Sequence, residues 1–262
     1  YFKICYYFYI AQKINKMKKI IIVNWRTKPE NLKDCKKLLS FTSSFSDKNS
    51  EIVIFPPALF ISEIKNIVSQ NKRVFLGAQN FYWVEKDDFT GQLPLSLFKG
   101  LGVKYVFVGH KDLRGLGETN EIINKKIKLS LKYGLKTIFC VGEKERDIGG
   151  LFFRQVRDEL VSGLASIKKD LLKKLIISYE PKWSVGKESK GYLGSREISE
   201  MVLFIRKVLS EICGRKIALD AKIIYGGSVN DKNIEDILKN GCVAGVDIGR
   251  ASILPDKFKK IL

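Results

Sequence analysis

After residue 17 the same pattern recurs eight times: a short apolar run, a turn, then a stretch with helical periodicity. The runs are Lys19–Asn24, Glu51–Phe55, Arg73–Gly77, Tyr105–Gly109, Thr137–Val141, Leu175–Tyr179, Lys222–Tyr225 and Ala244–Ile248. They are continuously apolar and rich in β-branched residues. Strands that alternate apolar and polar residues have one wet face, whereas continuous runs are buried on both. This one feature rules out most architectures.

The intervening segments are amphipathic. Asn120 to Lys132 places Ile123, Ile127 and Leu131 on one stripe with lysines opposite, and Ser195 to Leu209 does the same with Ile198, Val202, Ile205 and Leu209. Strand–helix alternation requires crossover connections and a parallel sheet. Eight units in a chain of 262 residues match the size of a (β/α)8 barrel, about 250 residues. The expected fold is therefore α/β: a closed, parallel eight-stranded barrel with outer helices, one domain over residues 17–262. A doubly wound open sheet is the competing architecture. It usually has fewer strands and a glycine-rich phosphate turn after the first, where this chain reads Asn24-Trp25-Arg26.

Residues 1–16 read differently. Tyr1 to Ile10 is aromatic and apolar, and Ala11 to Lys16 is polar. The segment lacks the basic start and small-residue cleavage site of a secretory signal, and it reads as an extension outside the fold. No apolar run reaches the roughly 20 residues of a membrane helix. The five cysteines are widely spaced without a C-x-x-C, and the chain has one histidine. Neither a disulfide framework nor a metal site is expected, and a reducing, cytoplasmic location fits better. The formal charge of +19 suits an anionic partner. Its even spread reads as compositional drift rather than as a nucleic-acid face.

A barrel of this kind works at the C-terminal ends of its strands. There the chain carries Asn24 and Arg26 after strand 1, His110 after strand 4, Glu180-Pro181 after strand 6, Gly226-Gly227-Ser228 after strand 7 and Gly249-Arg250 after strand 8. Each alone has a structural explanation: a turn cap, a surface cation, a satisfied histidine, an ion pair, a glycine turn. Together they set a carboxylate, an imidazole, an amide, cations and phosphate-suited turns on one rim. The chemistry suggested is proton transfer beside a carbonyl. A partly desolvated carboxylate acts as base, an imidazole polarises the carbonyl and a cation stabilises the enediolate.

Those residues, in that order, resemble the triosephosphate isomerase family. Asn24-Trp25-Arg26, Gly77-Ala78-Gln79-Asn80, Phe89-Thr90-Gly91, Val108-Gly109-His110 with Arg114, and Gly117-Glu118-Thr119-Asn120 are similar to its landmarks. So are Cys140 to Glu143, Tyr179 to Gly186 and Tyr225 to Val229. The resemblance implies interconversion of two triose phosphates in glycolysis and gluconeogenesis, without cofactor or metal. It implies that Glu180 is the base, His110 the electrophile, and Asn24 and Arg26 substrate ligands. Gly186, Ser228, Gly249 and Arg250 would hold the phosphate. It also implies a homodimer through the loop 79–92, with Thr90 near the partner's site.

Several positions depart from the family pattern. Arg26 stands for its lysine, a planar fork in place of a compact ammonium. Lys111-Asp112 replaces Ser-Glu, so a contact from Asp112 to position 26 has to be rebuilt. The lid tip is Gly186-Lys187-Glu188-Ser189, Gln92 replaces Glu, and Arg250 replaces a glycine. The competing reading is a decayed or repurposed barrel that binds a phosphate ligand or RNA with little turnover.

Overall fold

The eight runs form eight parallel strands: β1 (Lys19–Asn24), β2 (Ser50–Phe55), β3 (Val74–Ala78), β4 (Tyr105–Val108), β5 (Lys136–Val141), β6 (Leu175–Tyr179), β7 (Lys222–Tyr225) and β8 (Gly245–Ile248). In the computed structural model, which describes residues 10–46, 48–85, 89–184 and 191–261, they pair in sequence order and close into a barrel through β1 and β8. The open doubly wound sheet is thereby excluded.

Strand limits shift by a residue in places. β4 stops before Gly109, whose φ of 74° is a left-handed turn that no strand continues. The helix starting at Ser195 runs on to Cys213 and ends at Gly214, with φ 92°.

Paired residues of parallel strands face the same side, so each strand alternates between lumen and helix layer. Ile20, Ile22, Val53, Phe55, Tyr105, Phe107, Ile138, Cys140, Ile176 and Ile224 fill the lumen. Ile21, Val23, Ile52, Ile54, Val106, Val108, Ile177 and Ile223 pack outward. Each such burial contributes roughly 1.5–3 kcal/mol. Bulk is accommodated by absence elsewhere: a Cβ on Gly77 would sit 2.3 Å from the Phe55 ring, which itself stacks on Phe107 at 4.0 Å.

The N-terminal mouth is closed by polar groups. The Tyr105 hydroxyl donates to Glu51 at 2.7 Å and accepts from Lys136 at 2.6 Å. Burial pushes the Glu51 carboxyl up. The Tyr105 hydrogen bond and the charges of Lys136 and Lys222 outweigh it and hold the group below its usual range. With one end plugged, the open mouth is the one at the C-terminal strand ends.

The boundary expected at residue 17 is corrected in part. Residues 10–15 are helical, and Ile10 and Ile14 are buried in the outer core. Lys13 pairs with Asp220 at 2.5 Å. This helix was hidden in the sequence because two isoleucines four apart, with Gln12 and Lys13 between them, are too short a signal. Residues 1–9 lie outside the described part. Among the described residues no helix is long and apolar enough to cross a membrane.

Candidate active site

β6 runs directly into Glu180, whose backbone N–H donates to the Val141 carbonyl at 2.8 Å. The inward alternation Ile176, Ser178, Glu180 turns its side chain into the mouth, where it is 3% exposed. Oε1 accepts a hydrogen bond from Ser178 Oγ at 2.9 Å. Room for the carboxylate comes from Gly226, where a Cβ would lie 2.5 Å from Glu180 Cγ. Burial, and then the charge of Glu180, hold the neighbouring Cys140 thiol well above its usual range, so it stays neutral.

His110 follows β4 and caps the short helix Lys111–Gly115. Its Nδ1 accepts from the Asp112 backbone N–H at 3.2 Å. An acceptor nitrogen carries no proton, so this bond leaves the proton on Nε2. Nε2 stands 3.8 Å from Glu180 Oε2. The turn before it is pinned by Glu118, which accepts from Gly109 N–H at 2.9 Å and is paired with Lys126.

Asn24 ends β1, 5% exposed. Its Oδ1 accepts from the Arg26 N–H at 3.1 Å. This two-residue turn holds Arg26 at φ 55°, a conformation that costs a non-glycine residue about 1–3 kcal/mol. Gln79 steadies the same segment by donating to the Arg26 carbonyl at 2.7 Å. Arg26 Nη1 lies 3.6 Å from Asp112 Oδ2, so the shorter carboxylate does reach position 26. Arg26 Nε is buried without a hydrogen-bond partner.

Asn24, Arg26, His110, Ser228, Gly249 and Arg250 line one cavity of about 470 Å3. Gly186, expected beside the phosphate, lies outside the described residues. Ser228 Oγ donates to the Ser184 carbonyl and the Ser228 carbonyl accepts from Asn233 at 2.8 Å, which fixes the turn after β7. After β8, Ser252 donates to the Gly249 carbonyl through Oγ at 2.6 Å. Arg250 opens a single 3-10 turn, and Lys257 joins the cavity wall beyond it.

Three contributors were given no role in the sequence reading. Glu143 is fully buried and accepts from Tyr179 Oη at 2.9 Å and from Trp183 Nε1 at 3.0 Å. It thereby ties the segment after Glu180 to the barrel. Lys111 sits close enough for its charge to be felt: burial lowers its pKa, Asp112 and Glu180 oppose that, and Arg26 and Arg250 reinforce it. Asp247, inside β8, lines the cavity itself. It is 6% exposed, and its Oδ1 has no hydrogen-bond partner. Burial first, and then the Glu180 charge, push its carboxyl well above the usual range against the pull of Arg26.

A family model described as "Triosephosphate isomerase" matches residues 19–262. The triosephosphate isomerase of Dictyoglomus thermophilum is 36% identical over 258 residues, spanning 94% of this chain and 98% of that protein. That of Lawsonia intracellularis is 36% identical over 253 residues, with 94% and 98% covered. That of Thermoanaerobacter pseudethanolicus is 31% identical over 246 residues, with 93% and 98% covered.

Proposed function

The chain belongs to the triosephosphate isomerase family, and we propose that it interconverts dihydroxyacetone phosphate and glyceraldehyde 3-phosphate with Glu180 as the base. The observation that carries this is the buried Glu180 carboxyl 3.8 Å from His110 Nε2, with His110 itself lining a cavity beside Asn24, Arg26 and Ser228. The carboxylate removes a proton from the carbon next to the carbonyl and returns it to the neighbouring carbon. Both transfers use one base because both carbons lie over the same face. Nε2–H of His110 donates to the substrate oxygen that gains charge, and the proton of the neighbouring hydroxyl passes to that oxygen as the second carbonyl forms. The Arg26 guanidinium, steadied by Asp112, neutralises the enediolate. Gly249, Ser228 and Arg250, with Gly186 from the segment after β6, hold the phosphate away from the reacting carbons. No residue of this scheme needs a cofactor.

The competing reading, a barrel that only binds, gains nothing from the family match or the named relatives. A coupled assay on purified protein, with Glu180→Gln as control, tests the isomerase reading. Wild-type turnover no faster than the control overturns it. General-base catalysis contributes about 10²–10⁴-fold, so the expected gap is large.

Two further assignments belong to this reading. The chain pairs as a homodimer through the loop 79–92, within which Phe89 is 45% exposed and beside which Leu93 is 44% exposed. Light scattering at micromolar concentration checks this, and a monomer refutes it. The site of action is the cytoplasm, a reducing compartment that suits the buried thiols of Cys35, Cys140 and Cys213.

A further inference from the structure

We propose that Asp247 is a substrate-contacting residue of this site, a carboxylic acid whose O–H donates a hydrogen bond to an oxygen at the reacting end of the triose. The proposal rests on the isomerase reading and deepens it.

The register places the side chain. Asp247 pairs with Ile22 across the β1–β8 seam, and Ile22 points into the lumen. Paired residues share a face, so Asp247 points inward too, at the top of the packed layers. Two residues further along the strand, Gly249 belongs to the turn beside Arg250. Asp247 therefore lies one step deeper than the phosphate turns, at the level of the reacting carbons. In a ring of eight strands in sequence order, β4 and β8 stand opposite each other, with β6 a quarter turn from each. His110 and Asp247 thus approach a substrate above Glu180 from opposite sides. A triose caught between its two isomers has two oxygens on adjacent carbons. One faces the imidazole and the other faces β8.

The side chain is prepared for such a contact. It is more than nine-tenths buried, its Oδ1 is unpartnered, and it forms part of the wall of the same cavity as Asn24 and His110. A buried polar atom left unpaired costs about 1–3 kcal/mol, a cost that a ligand hydrogen bond removes. Arg26 directs its ion pair to Asp112 instead.

The charged and titratable groups around it are Glu180 after β6, Arg26 after β1, Cys140 on β5 and His110 after β4, with Arg250 and Lys257 at the rim. Burial, then the Glu180 charge, raise its pKa well above the usual carboxylate range and favour the neutral acid, against the pull of Arg26. Protonated, it adds no second charge beside the base. It also supplies what a carboxylate lacks, a donor.

The test is steady-state kinetics of wild type, Asp247→Asn, Asp247→Leu and Asp247→Ala, each checked for folding by thermal melting. The amide keeps a donor of the same reach, whereas leucine and alanine have none. Asp247→Leu and Asp247→Ala are expected to lower kcat/KM by about 10²–10³-fold, the usual loss when one transition-state donor is removed. Asp247→Asn is expected to stay within about tenfold of wild type, as a donor-retaining substitution should. A folded Asp247→Leu or Asp247→Ala as active as wild type overturns the proposal, as does an Asp247→Asn no better than alanine. In both cases an active wild type leaves the isomerase reading standing. An inactive wild type overturns both.

Discussion

His110 Nε2 and Glu180 Oε2 stand 3.8 Å apart, too far for a good hydrogen bond and close enough to share one small ligand. Each is held by a neighbour rather than by the other, Glu180 by the Ser178 hydroxyl and His110 by the Asp112 backbone N–H. Shortening the base should therefore show up as misplacement alone. Glu180→Asp is expected to lower kcat about a hundredfold, the usual effect of a shift near 1 Å. KM should stay near wild type in initial-rate measurements.

Gly226 gives the base its space. A methyl group there would meet Glu180 Cγ at 2.5 Å and Ser178 Oγ at 2.9 Å. Gly226→Ala should push the carboxylate out of line and reduce kcat/KM by about two orders of magnitude. Thermal melting should show a destabilisation of about 1–3 kcal/mol, typical of overpacking.

Asp112 and Arg26 contribute unequally. Half of the Asp112 side chain is exposed, and such pairs are worth about 0–1 kcal/mol. The contact that orients His110 comes from the Asp112 backbone and survives truncation. Asp112→Ala should therefore raise KM by no more than about fivefold, in line with that energy. Arg26→Ala removes the cation itself and should cost kcat/KM about a hundredfold or more. Equal losses in the two variants would falsify this division of labour.

The Glu118–Lys126 pair supports the turn before His110. Both side chains are about 95% buried, and Lys126 also donates to Asn80 at 2.6 Å. Lys126→Met leaves a buried carboxylate alone, a loss of about 3–5 kcal/mol, seen as a lower urea midpoint at constant slope. Adding Glu118→Gln should recover part of it, since the amide oxygen still accepts from Gly109.

Asp247 has a stability signature separate from its role in turnover. Its folded pKa is raised above an unfolded value of about 3.9. Between the two values the native state binds more protons, so stability falls as pH rises from about 4 toward the folded pKa. Asp247→Asn should raise the urea midpoint at pH 7, and the gain should shrink as pH is lowered from the folded pKa toward about 4, where it vanishes. A gain independent of pH would contradict the assignment.

The barrel was legible because double-sided burial writes itself into each strand without reference to the others. Glu180, His110 and Asn24 were legible for a related reason: a polar residue right after a buried strand has the strand end as its address. Asp247 has no such address. It sits inside the run Ala244–Ile248, and the continuous apolar pattern says nothing about which residues face the lumen. That follows only from the pairing of Ile22 with Asp247, a contact between the two ends of the chain. Glu143 was hidden likewise, since its partners Tyr179 and Trp183 are local neither to it nor to its strand. The reach of Asp112 to Arg26 depended on an Asx turn that sets the arginine's direction, which residue type alone does not encode.

The closure of the ring through β1 and β8 also has a meaning on the ribosome. Synthesis at about 5–20 residues per second puts roughly ten to fifty seconds between the emergence of Ile22 and that of its partner Asp247. For that interval one edge of β1 has no neighbour from its own chain, and exposed apolar edges recruit other chains. The last strand made is thus the one that seals the oldest edge. In this protein it also delivers Asp247 to the mouth, so the nascent chain gains its protection and a buried cavity side chain in one event.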